Sequence, residues 1–205
     1  MFNLKTSIAV AALALAGAAH AAGPNLVTDG TFAGSAGSYT TVSGNGGSIG
    51  AWKVGGASVD WIGSYWTAPG GTNSIDLDGN APGAISQTLT GLAAGEYTVT
   101  FDLSGNPDGG DATKLVDVSL GGSPAQLVKF TTGTTSGMTW ATETLTFNVA
   151  AGDQTLSFVS ADVGGPYGAA IADVSVTAVP EPASLGLLLA GIGMIGVMSS
   201  RRRAR

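Results

Sequence analysis

Tyr97-Thr98-Val99-Thr100-Phe101-Asp102-Leu103 decides the architecture. Its large apolar residues, Tyr97, Val99, Phe101 and Leu103, occupy every second position, with Thr98, Thr100 and Asp102 between them. A period of two is the side-chain period of extended chain, so one face is buried and the other meets water. The pattern returns in Val116, Val118 and Leu120 around Asp117 and Ser119. It returns again in Leu145, Phe147 and Val149 among Thr144, Thr146 and Asn148, and in Leu156 and Phe158 beside Thr155 and Ser157. Helical periodicity is missing from the region between residues 22 and 179.

Turn signals separate these runs: Gly44-Asn45-Gly46-Gly47, Pro69-Gly70-Gly71, Gly79-Asn80-Ala81-Pro82-Gly83, Asn106-Pro107-Asp108-Gly109-Gly110 and Gly152-Asp153. Short half-buried strands at such spacing predict an all-β fold, a single antiparallel β-sandwich of the jelly-roll kind. The 33 glycines of the chain cluster in these turns, where a positive φ is useful. The strands between them carry enough Val, Ile, Leu and aromatic residues to build a core, so the glycine content does not signal disorder.

The ends have their own logic. Lys5, the apolar run Ile8 to Ala19 and the small-residue site Ala19-His20-Ala21 make residues 1–21 a secretory signal peptide, cut after Ala21. At the other end Pro180-Glu181-Pro182 is followed by Ala183 to Ser200, 18 residues without a charge, and then by Arg201, Arg202, Arg203 and Arg205. At ~1.5 Å per helical residue that run reaches roughly 27 Å, enough for a thin bilayer core. The arginines then stay on the cytoplasmic side. The expected organisation is a signal peptide at 1–21, a β-sandwich at 22–178, and a hinge, transmembrane span and basic stop at 179–205.

Composition removes several chemistries. The chain has no cysteine, and its one histidine, His20, lies in the signal peptide. The remaining domain therefore lacks thiolate nucleophiles, Ser-His-Asp triads and His- or Cys-bound metals. Three lysines, Lys53, Lys114 and Lys129, stand against thirteen acids between Asp29 and Asp173, a net of −10. That balance excludes nucleic acid, whose phosphates need clustered cations. It leaves two readings for the acids, solubility and bound cations. Lys114 and Lys129 are isolated in sequence and read as solvated charges.

Aromatic residues are concentrated: Trp52, Trp61, Tyr65 and Trp66 fall close together, with Trp140 apart. Flat rings stack on sugar faces and keep an N–H or O–H for hydrogen bonds. Trp61 alternates with Val59 and points to the core. Tyr65 and Trp66, beside Pro69-Gly70-Gly71, either touch a glycan or close one end of the sandwich, and Trp52 joins them as a candidate. Asp76-x-Asp78-x-Asn80 has the spacing of a calcium loop, but Ala81 and Gln87 replace the glycine and glutamate of an EF-hand. Its Asp-Gly pair is also ordinary turn chemistry. Nothing marks Glu96 or Glu143 as half of a glycosidase pair, so no catalytic residue is assigned and a non-enzyme is expected.

Val179-Pro180-Glu181-Pro182, the Gly-containing span and the arginine cluster together resemble the PEP-CTERM sorting signal of Gram-negative bacteria. The resemblance implies recognition and cleavage by an exosortase, with Pro180, Glu181, Pro182, Arg201, Arg202 and Arg203 as the motif. The membrane is then a transient anchor, and the destination is the cell surface or an exopolysaccharide or biofilm matrix. The domain is similar to the choice-of-anchor C family and, through it, to galactose-binding-like jelly rolls. The resemblance rests on Asn25-Leu26-Val27-Thr28-Asp29-Gly30-Thr31-Phe32, Ser74-Ile75-Asp76-Leu77-Asp78-Gly79, Pro82-Gly83-Ala84-Ile85-Ser86-Gln87-Thr88 and Gly165-Pro166-Tyr167-Gly168-Ala169-Ala170-Ile171-Ala172-Asp173-Val174. It implies a structural calcium held by Asp173 with Thr31 or Asp29 and backbone carbonyls, although Ala33 stands where relatives carry an acid. It also implies a partner in extracellular polysaccharide. The function expected is therefore non-catalytic polysaccharide binding or matrix building. A structural or adhesive role without a glycan site is the alternative, and a matrix-glycan enzyme is a further one.

Overall fold

The structure, a computed structural model, describes residues 23–132 and 137–180. The signal peptide, Glu181, Pro182, the apolar span and the arginines lie outside the described residues. Among the described residues no helix is long and apolar enough to cross a membrane.

The described residues hold twelve strands in order: β1 (Tyr39–Ser43), β2 (Ser48–Ile49), β3 (Trp52–Gly56), β4 (Ser58–Ile62), β5 (Ser74–Asp76), β6 (Gly83–Leu92), β7 (Gly95–Gly105), β8 (Thr113–Leu120), β9 (Gln126–Thr131), β10 (Ala141–Val149), β11 (Gly152–Ser160) and β12 (Ala169–Ala178). They form two six-stranded sheets, β1-β4-β5-β12-β7-β10 and β2-β3-β6-β11-β8-β9. Every strand pairing is antiparallel. This is the β-sandwich that the alternation predicts.

The alternating residues meet between the sheets. Tyr97, Val99, Phe101 and Leu103 of β7 face Val116, Val118, Leu120, Leu156 and Phe158 of the second sheet in one cluster. Phe101 and Phe158 join the two layers edge to face, with ring centroids 5.0 Å apart. Such a pair adds about 0.5–1.5 kcal/mol to the burial of the rings themselves. Truncating Phe101 to Ala would cost ~3–5 kcal/mol, because the close-packed layer collapses only partly around the void.

The opening stretch forms no strand. It crosses beside β12, where Leu26 N–H donates to the Val176 carbonyl and Val174 N–H donates to that of Gly30. Gln87 clamps it from β6 through both sides of its amide, to the N–H and the carbonyl of Thr28 (2.8 Å each). At the crossing β12 shifts register between Ala172 and Ser175, and Asp173 takes φ 52°. A β-bulge absorbs an extra residue in this way and bends the strand, and here the Asp173 side chain is exposed.

Two expectations are corrected. Gly152-Asp153 opens β11 rather than making a turn: the chain reverses at Ala150 and Ala151, and Gly152 enters the ladder opposite Leu92 with a bulge before Gln154. Lys114 is not a solvated charge. It is 1% exposed, because it continues the inward row of Val116, Val118 and Leu120 along β8.

Candidate functional site

One groove gathers side chains from six parts of the chain. Its walls are Tyr39 and Thr41 of β1, Asp60 and Ile62 of β4, Tyr65 and Trp66 of the following loop, and Asn80 of the β5–β6 turn. Asn106 and Asp108 of the β7–β8 loop and Tyr167 of the β11–β12 loop complete it, around a volume of about 330 Å³. Register explains the floor: Tyr39 pairs with Ile62 and Thr41 with Asp60, so these four share the outer face of the first sheet. Ile62 is buried there, outside the core between the sheets.

The aromatic wall is an edge-to-face chain. Tyr39 and Tyr65 have ring centroids 5.5 Å apart, and Tyr65 and Trp66 5.6 Å. Tyr39 and Tyr65 are about half exposed and Tyr167 is 38% exposed. The Tyr65 hydroxyl donates to Asp108 Oδ2 at 2.8 Å, and this hydrogen bond, reinforced by the Asp108 charge, raises the phenol's pKa. Trp66 spends its indole N–H on Ser74 Oγ (2.8 Å), which fixes the ring at the back of the wall. Asp60 accepts the Thr41 hydroxyl; burial pushes its carboxyl pKa up and that hydrogen bond opposes the rise.

A buried polar cluster holds the rims. Asp76 is fully buried. Its Oδ1 accepts the N–H groups of Asp78 (2.9 Å) and Gly168 (3.1 Å), and its Oδ2 accepts Asn106 Nδ2 (2.7 Å). Lys114 donates to the carbonyls of Gly109 (2.8 Å) and Tyr167. Both residues therefore tie the Asp108 loop to the Tyr167 loop. Two glycines make the closeness sterically feasible. A Cβ on Gly168 would lie 2.6 Å from Asp78 Cγ, and one on Gly109 would lie 2.8 Å from the Tyr167 ring.

The cluster stores an electrostatic cost. Burial drives the Asp76 pKa to about 7, although its hydrogen bonds pull the other way. Asp78 is fully buried, and neither carboxylate oxygen has a hydrogen-bond partner; the nearby Ser160 hydroxyl falls short of that geometry. Burial raises its pKa to about 6. Ser160 and Lys114 moderate the rise, and the Asp162 charge adds to it. Asp162 Oδ2 is likewise buried without a partner. A buried carboxylate without donors favours its neutral form.

Of the residues singled out in the sequence, Tyr65 and Trp66 enter this groove and Trp52 does not. Trp52 is fully buried between Phe32 (centroids 5.5 Å) and Phe158 (6.2 Å), and its indole N–H goes to the Asp29 carbonyl. It is a core residue with no face left for a ligand. Trp61 packs against the core as its alternation implies, donating to the Phe32 carbonyl at 3.0 Å. Sequence reasoning missed Tyr39, Asp60, Asn80, Asn106, Asp108 and Tyr167. Only the turn signals around three of them marked loops that were free to converge.

Asp29 and Asp173 are not brought to one cradle. Asp29 Oδ1 caps the Ala33 N–H at 2.6 Å and its Oδ2 lies against Gly50. Asp173 is exposed and lines a separate depression with Thr31, Asp102 and Thr142, in which Asp29 takes no part. Among the described residues no three acidic side chains assemble as a metal site. Asp29 and Asp173 therefore do not share one set of donors.

Comparison with known proteins gives the surrounding context. Residues 178–203 match the PEP-CTERM protein-sorting motif, where the proline hinge, apolar span and arginines stand, and this motif marks an exported, surface-targeted protein. Halomucin of Haloquadratum walsbyi is 32% identical over 183 residues, covering 85% of this chain; the chain spans 2% of halomucin's length. Two solved carbohydrate-binding modules are similar in fold. A family 35 module from Clostridium thermocellum has TM-score 0.47 and 13% identity, over 70% of this chain and 100% of the module. TmCBM61, solved with β-1,4-galactotriose, has TM-score 0.47 and 20% identity, over 76% of this chain and 99% of the module. The model of the family described as "Protein of unknown function (DUF642)" matches residues 25–177, the whole of the sandwich, and the chain belongs to that family.

Proposed function

We propose that this domain is a non-catalytic glycan-binding module of an exported surface protein, and that the groove lined by Tyr39, Tyr65 and Asp108 holds an extracellular polysaccharide. The carrying observation is the pairing of exposed flat rings with convergent polar groups: Tyr39, Tyr65 and Tyr167 beside Asp60, Asn80, Asn106 and Asp108 in one open cavity. Sugars present apolar C–H faces and a rim of hydroxyls. A ring takes the first by stacking, and carboxylates and amides take the second. The half-exposed rings and the hydrogen-bonding groups that converge on them are the features that favour binding.

The sorting tail fits the same reading. An exosortase would process the chain near Pro180-Glu181-Pro182, and the released or re-attached domain would act in the surface or biofilm matrix. The test is calorimetric titration of purified full-length chain in mild detergent with polysaccharides from a producing culture, alongside an assay for new reducing ends. Saturable binding that Tyr65→Ala abolishes, without new reducing ends, is expected. Absence of binding to any polysaccharide overturns the reading in favour of a purely structural or adhesive role.

A further inference from the structure

The groove has a one-sided charge. Asp60 and Asp108 line it, and among the described residues no lysine, arginine or histidine does. The domain's three lysines are engaged elsewhere. Lys53 on β3 and Lys129 on β9 belong to the other sheet, and the Lys114 ammonium donates to the Gly109 and Tyr167 carbonyls. Each groove carboxylate keeps one oxygen in hand. Asp60 uses Oδ1 for the Thr41 hydroxyl and Asp108 uses Oδ2 for that of Tyr65, which leaves Asp60 Oδ2 and Asp108 Oδ1 without a partner among the described residues. Beside Asp108 stands the exposed Tyr65 ring, and the face of such a ring attracts a cation. The surrounding domain, with three lysines against thirteen acids, adds a negative field of the same sense.

We infer that the groove selects its glycan by charge: it takes a polysaccharide bearing free amines ahead of the N-acetylated form of the same chain, and it rejects uronate-rich chains. The inference rests on the glycan-binding reading of this groove. Its physical basis is that a carboxylate without a cation partner, half-buried at Asp60 and exposed at Asp108, gains from an incoming ammonium and is opposed by an incoming carboxylate. A neutral sugar keeps the stacking and hydroxyl contacts and gains nothing from the charges.

The experiment uses the full-length chain in detergent and three probes of equal length, a glucosamine hexamer, the N-acetylglucosamine hexamer and a galacturonate hexamer. They are titrated at low salt and slightly acidic pH, where the amines are protonated. The amine form is expected to bind about tenfold more tightly than the N-acetylated form, with the advantage shrinking as salt rises, and the galacturonate is expected not to bind. In Asp108→Asn, and further in the double variant with Asp60→Asn, the ratio of the two hexosamine affinities should fall toward one; thermal melting confirms that each variant folds. Equal affinity for both hexosamines, binding of the galacturonate, or a ratio unchanged in the double variant overturns the inference and leaves glycan binding standing. Failure of all glycans, including the neutral ones and whole polysaccharide, overturns the glycan reading and this inference together.

Discussion

Asp60 and Asp76 stand directly opposite each other across the β4–β5 ladder, and one opens into the groove while the other is sealed beneath its rim. They belong to a row that crosses the outer face of the first sheet: Thr41, Asp60, Asp76, Ala170 and Ser104. Exposure falls along it, from open at Thr41 through half-buried at Asp60 to none at Asp76, Ala170 and Ser104. A face that alternation marks as polar is thus half roofed by loops. The acid at the open end faces the groove and the acid under the roof holds the loops.

The open end should separate binding from stability. Tyr65→Ala removes the central ring of the wall but leaves the core intact, since Tyr65 is half exposed. Affinity for polysaccharide should fall at least about tenfold, which is ~1.4 kcal/mol. The melting temperature should move by no more than a few degrees, as exposed substitutions usually cost under ~0.5–1 kcal/mol. Calorimetric titration and thermal melting on one preparation check both numbers.

Under the roof, Lys114→Met should cost both. It leaves the Gly109 and Tyr167 carbonyls without their shared donor and removes the cation that moderates Asp78 and Asp162. Each orphaned buried acceptor costs about 1–3 kcal/mol. The expected loss is ~2–4 kcal/mol, seen as a melting temperature lower by roughly 5–15 °C for a domain of this size. Glycan affinity should weaken as well, although Lys114 does not line the groove. An unchanged affinity in the folded variant would show that the two loops hold their positions without it.

The buried acids predict an unusual pH profile. Unfolded, both titrate near the ordinary aspartate value of 3.8; folded, Asp76 titrates at about 7 and Asp78 at about 6. Between those values the folded state binds more protons than the unfolded one, so stability declines as pH rises. The contribution is complete below about pH 4 and is lost as pH passes through 6 and then 7. Each tenfold change in a proton-binding constant is worth about 1.4 kcal/mol. Melting temperature should therefore fall between mildly acidic and mildly alkaline buffer, and Asp78→Asn should flatten the fall and raise stability at neutral pH. A rising or flat wild-type profile contradicts this account.

Gly168→Ala should act through geometry alone. Its Cβ would meet Asp78 Cγ at 2.6 Å and Asp76 Oδ1 at 2.8 Å, carboxylate atoms of two fully buried side chains. Overpacking of this kind costs ~1–3 kcal/mol or more. The expected result is a melting temperature lower by several degrees with glycan affinity reduced in parallel, because the Tyr167 loop must lift. Melting and titration of the single variant are enough to check it.

In the tail, Glu181→Ala should leave the precursor unprocessed. The sorting motif spans 178–203 and Glu181 is the one acid of its Pro-Glu-Pro hinge. Immunoblotting of cell and medium fractions should show a longer, retained form. Release of normally processed protein by this variant would exclude a role for the hinge in sorting.

The alternation of β7, β8, β10 and β11 determined the fold class by itself. Burial of one face is a local consequence of period two and needs no knowledge of the partner strand. The same rule carried a signal that charge obscured: Lys114 stands on the parity of Val116, Val118 and Leu120, and that parity, read strictly, places it inside. Trp52 shows the reverse, since an aromatic in an aromatic-rich stretch looks like a ligand platform until Phe32 and Phe158 are seen to enclose it. The hinge, span and arginines determined the route of export, because sorting is read from a contiguous stretch of chain. The groove is different in kind. Tyr39, Asp60, Asp108 and Tyr167 are far apart in sequence, and what brings them together is strand register on one sheet face and two loops tied by Asp76 and Lys114. Long-range pairing fixes such a site, and only the folded chain discloses which polar residues end up facing one another and which are sealed away from water.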